Sequence, residues 1–160
     1  MCKKGLLLCA VIGMLMMYSA TGLFAGTEVG DEILLDNPVY EKHTKGIVEF
    51  THKKHAVDYV QKYPQYFKNG CGDCHHDEAG KPLALKAGDD VQSCAACHKE
   101  TGKAPKGIDK AEKIKRFHKN ALHENCKSCH KAFNKGEGID KKDPKAAPVS
   151  CKTCHPSKKK

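Results

Sequence analysis

Four copies of one pentapeptide pattern constrain this chain more than anything else in it. Cys71-Gly72-Asp73-Cys74-His75, Cys94-Ala95-Ala96-Cys97-His98, Cys126-Lys127-Ser128-Cys129-His130 and Cys151-Lys152-Thr153-Cys154-His155 all read C-x-x-C-H. At the chain's own Cys and His content, chance supplies roughly 0.04 such motifs. Two thiols three positions apart can each add to one vinyl group of the same porphyrin. The next residue then lies beneath the ring, and its imidazole reaches the iron. A zinc site built from C-x-x-C pairs has no need of a His directly after each pair. A disulfide framework gives no reason for the histidines, and iron–sulfur clusters take thiolates in other spacings. The motifs therefore predict four haems c with their iron, attached through Cys71, Cys74, Cys94, Cys97, Cys126, Cys129, Cys151 and Cys154. His75, His98, His130 and His155 become the proximal iron ligands.

The motifs begin at 71, 94, 126 and 151. Such unequal intervals exclude a solenoid of fixed period and predict one unit with clustered haems. Composition points the same way. The chain has no Trp, five Phe and five Tyr, and much of its apolar content falls in the first 26 residues. A soluble domain of about 135 residues normally needs a sizeable buried core. These side chains fall short of one, so the haems are expected to act as the core.

Residues 1–26 read as a secretory signal peptide. Lys3 and Lys4 precede an apolar run over residues 6–18, and small residues follow, with Ala25 and Gly26 near the expected cut. The run is short for a membrane-spanning helix and no second one follows. Leu6, Leu7 and Leu8 before Cys9 argue against a lipid-attachment site there. The expected organisation is a removed leader, 1–26, and one haem-bearing domain, 27–160. Export to the periplasm agrees with haem attachment, which occurs outside the cytoplasm, and no stable membrane insertion is expected after cleavage.

Each iron has a second axial position. Of the ten histidines, six lie outside the motifs: His43, His52, His55, His76, His118 and His123. That is enough for four sites with two to spare. A Met ligand would raise the potential, but Met1, Met14, Met16 and Met17 all lie in the leader. Bis-histidine ligation follows, with low potential and no open iron for a substrate. His52 and His55 stand near a helix start at a spacing able to serve two different haems. His76 directly follows the first motif, and consecutive imidazoles point in different directions.

The order His52-x-x-His55, then C-x-x-C-H-H ending in His76, then three further motifs resembles the class III cytochromes c, the cytochrome c3 family, over roughly residues 40–157. The resemblance implies His52 as distal ligand of the haem with His75, His76 for the haem with His98, and His55 for the haem with His130. It places the fourth distal ligand shortly before the third motif, for the haem with His155. Residues 109–124 read as a helix with Ile114, Phe117, Ala121 and Leu122 on its apolar side. His118 lies on that side, and His123 would point away if the helix ran straight on. Yet Ala121-Leu122-His123-Glu124-Asn125-Cys126 resembles the family's short approach to this motif. His123 is therefore preferred over His118, with the helix stopping near Asn125. Two features depart from many members. All four Cys-to-Cys spacings are short, and the link over residues 56–70, with Tyr59, Tyr63, Tyr66 and Phe67, is long. Ordinary packing is the favoured role for these aromatics, ahead of a haem shield or a partner surface.

Residues 28–50 read as extended, with turns at Asn37-Pro38 and Lys45-Gly46 and a short strand within 47–50. Helices are expected near 55–67 and 110–123. The stretches 80–92, 101–108 and 134–149, rich in Gly, Pro and Lys, read as loops. The fold class is mostly irregular plus α-helix with a small β-hairpin, a compact multihaem cytochrome fold.

The chain is formally +9, and Lys3 and Lys4 of the leader account for two of those charges. Four ferric bis-His haems, each about −1 with both propionates ionised, bring the mature holoprotein to about +3. Lys152 and Lys158-Lys159-Lys160 form a basic rim suited to steering acidic redox partners, or else a solvated tail. Nucleic acid is not an expected partner. The resemblance implies a monomeric electron carrier between a hydrogenase or formate dehydrogenase and a membrane-bound multihaem complex, as in sulfate respiration. A nitrite or metal reductase would need an open or Lys-ligated iron, and no motif has Lys in place of His. A subunit of an extracellular cytochrome assembly is the third reading.

Overall fold

The computed structural model describes residues 30–157. The leader expected at 1–26, Cys9 within it, and the run Lys158-Lys159-Lys160 lie outside the described residues. Regular structure is sparse. Strands β1 (Ile33–Leu34) and β2 (Glu49–Phe50) pair antiparallel, with Ile33 opposite Phe50 and Leu34 opposite Glu49. The amide of Leu35 donates to the Val48 carbonyl at 2.8 Å and carries the pairing one step further. The strand expected within 47–50 is thus confined to its last two residues. Its connection to β1 is a long loop rather than a tight hairpin. That loop turns at Asn37, whose Oδ1 accepts from the Val39 amide at 3.0 Å while its carbonyl accepts from the Tyr40 amide at 3.1 Å. Pro38, with its fixed φ, sits between them, as this turn chemistry favours.

The helical stretch after β2 comes in three pieces: a π-helical turn Lys54–Asp58, helix α1 (Tyr59–Lys62) and a 3-10 turn Pro64–Tyr66. The break falls at Tyr63, with φ −135° and ψ 55°. Pro64 explains it, because a proline disfavours helical backbone in the residue before it. Tyr63 and Tyr66 then meet Phe133 edge to face, with ring centroids 5.0 and 5.4 Å away. Gln65 and the Tyr66 hydroxyl both donate to Glu137 Oε1. Tyr63 and Tyr66 are thus half-buried against the end of the long helix that carries Phe133.

Four more helices follow: α2 (Cys94–Cys97), α3 (Lys110–Arg116), α4 (His118–Gly136) and α5 (Cys151–Cys154). The single helix expected near 110–123 is two. Asp109 caps α3, its Oδ1 accepting from the Glu112 amide at 2.7 Å. Phe117 then turns extended, at φ −98° and ψ 116°. The chain carries no Pro or Gly there. A tertiary contact makes the break: the Glu100 amide donates to the Arg116 carbonyl at 2.9 Å, and the His118 amide donates to the Glu100 carbonyl at 3.0 Å. Backbone groups released by leaving the helix are satisfied by Glu100 instead. A second correction concerns the far end. Asn125 is not a stop, and α4 runs through the third motif to Gly136. The loop expected from 134 therefore begins only at 137.

Phe117 and Ala121 are the buried apolar residues among those described, and His118 and Asn134 the buried polar ones. The scarcity of core side chains expected from composition is visible in three dimensions. What burial the chain achieves by itself gathers around the Phe117 break and along α4.

Candidate functional site

Each C-x-x-C-H motif folds as one closed helical turn. The amides of His75, His98 and His155 donate to the carbonyls of Cys71, Cys94 and Cys151 at 3.0, 2.9 and 2.9 Å. The third motif lies within α4. Residues three apart in such a turn share a face, so each pair of thiols points to the same side, with the His at the end of the turn. Serines start two of these turns. Ser93 Oγ accepts from the Ala95 amide at 3.3 Å, and Ser150 forms a reciprocal capping box with Thr153. Gly72, between the first two thiols, is required by space: a Cβ there would stand 2.7 Å from the Leu83 carbonyl oxygen.

The four motifs converge. Asn125 Nδ2 donates to the Cys74 carbonyl at 3.5 Å, tying the third motif to the first. Burial pushes the Cys74 thiol up to about 11, helped by Cys126, Cys129, Asp73 and Cys94 nearby. Burial likewise raises Cys126, with Cys154, Cys94 and Cys129 adding to it. Cys126 thus lies within electrostatic reach of thiols of the other three motifs.

The histidines form four facing pairs, each joining one motif His to one His from elsewhere. Ring centroids are 6.5 Å apart for His52 and His75, 5.9 Å for His76 and His98, 6.1 Å for His55 and His130, and 6.3 Å for His123 and His155. Two imidazoles on opposite sides of one metal, each bonded at about 2 Å, have centroids roughly 6 Å apart. Among the described residues no three or more His, Cys, Asp or Glu side chains converge as a bare metal ion requires. A haem iron asks the protein for only two axial ligands. The paired imidazoles and the adjacent thiols therefore fit haem c.

Backbone carbonyls orient five of the eight rings. The Nδ1 atoms of His55, His76, His98, His130 and His155 lie 2.9, 2.7, 2.9, 2.7 and 2.9 Å from the carbonyl oxygens of Thr51, Asp77, Lys115, Pro148 and Gly46. A carbonyl only accepts, so Nδ1 carries the proton and Nε2 keeps its lone pair for a metal. Burial holds His55, His75 and His123 below the ordinary imidazole range, and Lys127 and Lys119 add to the effect at His123. The neutral form, the one that ligates, is favoured. These carbonyls were invisible to sequence reasoning because every residue has one. Gly46 alone left a trace, as part of the turn expected at Lys45-Gly46.

The two remaining histidines are engaged otherwise. His118 is 4% exposed, and Tyr40 Oη stands 3.0 Å from its Nδ1. His43 Nε2 lies 2.7 Å from Asp36 Oδ1. Because α4 continues without interruption, His118 and His123 are roughly 140° apart around its axis. One ring turns to Tyr40 and the other to His155. His123 does point away from the buried face, as a straight helix requires, and the fourth motif lies on that side.

Charge is concentrated beside this last pair. Lys110, Lys113, Lys127 and Lys131 line a cleft with His123 and Glu124, and Lys110 Nζ pairs with Glu124 at 2.7 Å. Lys45 and Lys152 line a second cleft with Cys151 and His155. Among the described residues no helix is long and apolar enough to cross a membrane. The chain matches the class III cytochrome C family over residues 31–155. No curated protein and no solved structure gives a match.

Proposed function

The chain belongs to the class III cytochrome c family of multihaem electron-transfer proteins, and we propose that it is a periplasmic, low-potential electron carrier with four bis-histidine haems c. The observation that carries this reading is the set of four facing imidazole pairs, with centroids between 5.9 and 6.5 Å apart. In this reading Cys71 and Cys74, Cys94 and Cys97, Cys126 and Cys129, and Cys151 and Cys154 hold the four haems. The axial pairs are His75 with His52, His98 with His76, His130 with His55, and His155 with His123. When bound, each haem supplies one-electron exchange at its iron. The chain's own part is to occupy both axial positions with neutral imidazoles, which keeps substrates off the metal and favours a low potential. Gathering the motifs together gives short paths between sites inside one small monomer.

The lysines around His123 favour acidic docking partners. A hydrogenase or formate dehydrogenase as donor and a membrane-bound multihaem complex as acceptor suit such a carrier in anaerobic respiration, sulfate respiration included. The decisive experiment is the visible spectrum of the reduced mature protein with and without carbon monoxide, together with a haem count. Four haems per chain and no spectral response are expected. A clear response would mean an open iron, and a nitrite- or metal-reductase activity would then replace the carrier reading. A stable polymer in size exclusion would point instead to an extracellular cytochrome assembly.

A further inference from the structure

Asn134 is one of two buried polar residues among those described, at 7% exposed. It stands on α4 one turn beyond His130, so the two side chains share a helix face. Both polar atoms of its amide are engaged. Nδ2 donates to the Ala147 carbonyl at 2.9 Å, and Oδ1 accepts from the Ala147 amide at 2.8 Å. Its backbone carbonyl also accepts from the Ile139 amide at 2.8 Å. Both polar groups of Ala147 are therefore clamped to α4. The next residue is Pro148, whose carbonyl oxygen lies 2.7 Å from His130 Nδ1. Proline has a fixed φ and no N–H to compete. With Ala147 held and that φ fixed, rotation about ψ of Pro148 is the one backbone freedom left to its carbonyl.

We infer that Asn134 is a positioning residue for the axial ligand His130. It anchors the segment ending at Pro148 so that this carbonyl accepts a hydrogen bond from the Nδ1–H of the His130 imidazole. A ring that donates at Nδ1 is a more basic ligand at Nε2. A more basic ligand stabilises the oxidised iron and lowers the reduction potential of that one haem. Burying an amide costs free energy unless every polar atom is satisfied, and this amide meets that condition only through Ala147. The inference rests on the haem reading above, and it goes further by naming what tunes one of the four sites.

The test uses the mature holoprotein and Asn134→Leu, which removes both clamping hydrogen bonds at similar volume. Asn134→Ala replaces it if the leucine chain does not accumulate. The four midpoint potentials and the solvent exchange of the His130 ring N–H are measured in parent and variant. One potential should rise by a factor of about 3 to 10 in its reduction equilibrium constant, about 28 to 59 mV for one electron. The other three should hold, and the His130 ring proton should exchange faster. Unchanged potentials, or four that move together as general loosening would move them, would overturn the role of Asn134. Slow ring-proton exchange in the parent is expected whether or not the variants fold, and fast exchange there sinks the inference at once. A parent protein with fewer than four haems, or one that binds carbon monoxide, would instead sink the carrier reading.

Discussion

His155 donates its Nδ1 proton to the carbonyl of Gly46, 2.9 Å away in space and 109 residues earlier in the chain. The last haem motif is thereby closed onto the loop between β1 and β2. The approach is possible because residue 46 has no side chain: a Cβ there would stand 2.1 Å from the Pro156 carbonyl oxygen. A local turn signal and a distant hydrogen-bond acceptor are the same residue.

Gly46→Ala should therefore act at the far end of the chain. Forcing backbone apart in a packed contact costs about 1–3 kcal/mol. Denaturant unfolding of the holoprotein should show a loss of that order, accompanied by a carbon monoxide response from one iron. A variant with parental stability and no response would show that the His155 contact with Gly46 is dispensable.

His123 and His118 should separate cleanly. His123→Ala is expected to leave one iron in four open to carbon monoxide, read as about a quarter of the difference signal of a fully open tetrahaem protein. His118→Gln is expected to leave all four closed, since its partner is Tyr40. The reverse pattern would reassign the fourth axial ligand to His118.

Phe117 offers the largest single loss. It is 3% exposed and sits where α3 passes into α4. Truncating a buried Phe to Ala typically costs about 3–5 kcal/mol. Phe117→Ala should fall in that range by denaturant unfolding, with the visible spectrum of the folded fraction unchanged. A loss below about 1 kcal/mol would mean that the bridge to Glu100, rather than the ring, holds the break.

Acid should weaken the contribution of His118. Burial, and then the nearby His98, hold its pKa below the ordinary imidazole value. A folded value below the unfolded one means that the unfolded chain takes up the proton first, so stability rises with pH in this window. The contribution is complete above about pH 6.5 and is lost as pH falls through the lower folded value. The stability difference between parent and His118→Gln should therefore shrink from about pH 7.5 to about pH 5. A difference that stays constant or grows on acidification would contradict the burial of a neutral ring.

The chemistry of this chain was written locally. Two thiols and an imidazole within five residues need only one helical turn to face one cofactor, so the four motifs declare their purpose whatever surrounds them. The shortage of apolar side chains was legible for the same reason, because a count does not depend on arrangement. The histidines outside the motifs showed supply but not destination, and it was the resemblance of the motif order that proposed partners for them. Which imidazoles pair with which is a property of the folded chain, as His123 shows. Its direction depends on the helix breaking at Phe117 and then continuing past Asn125, and neither event carries a local signal. Glu100 makes the break through backbone hydrogen bonds. Thr51, Asp77, Lys115, Pro148 and Gly46 orient five imidazoles through carbonyls that any residue would possess. Such contacts are set by where the backbone passes, so only the tertiary structure decided them.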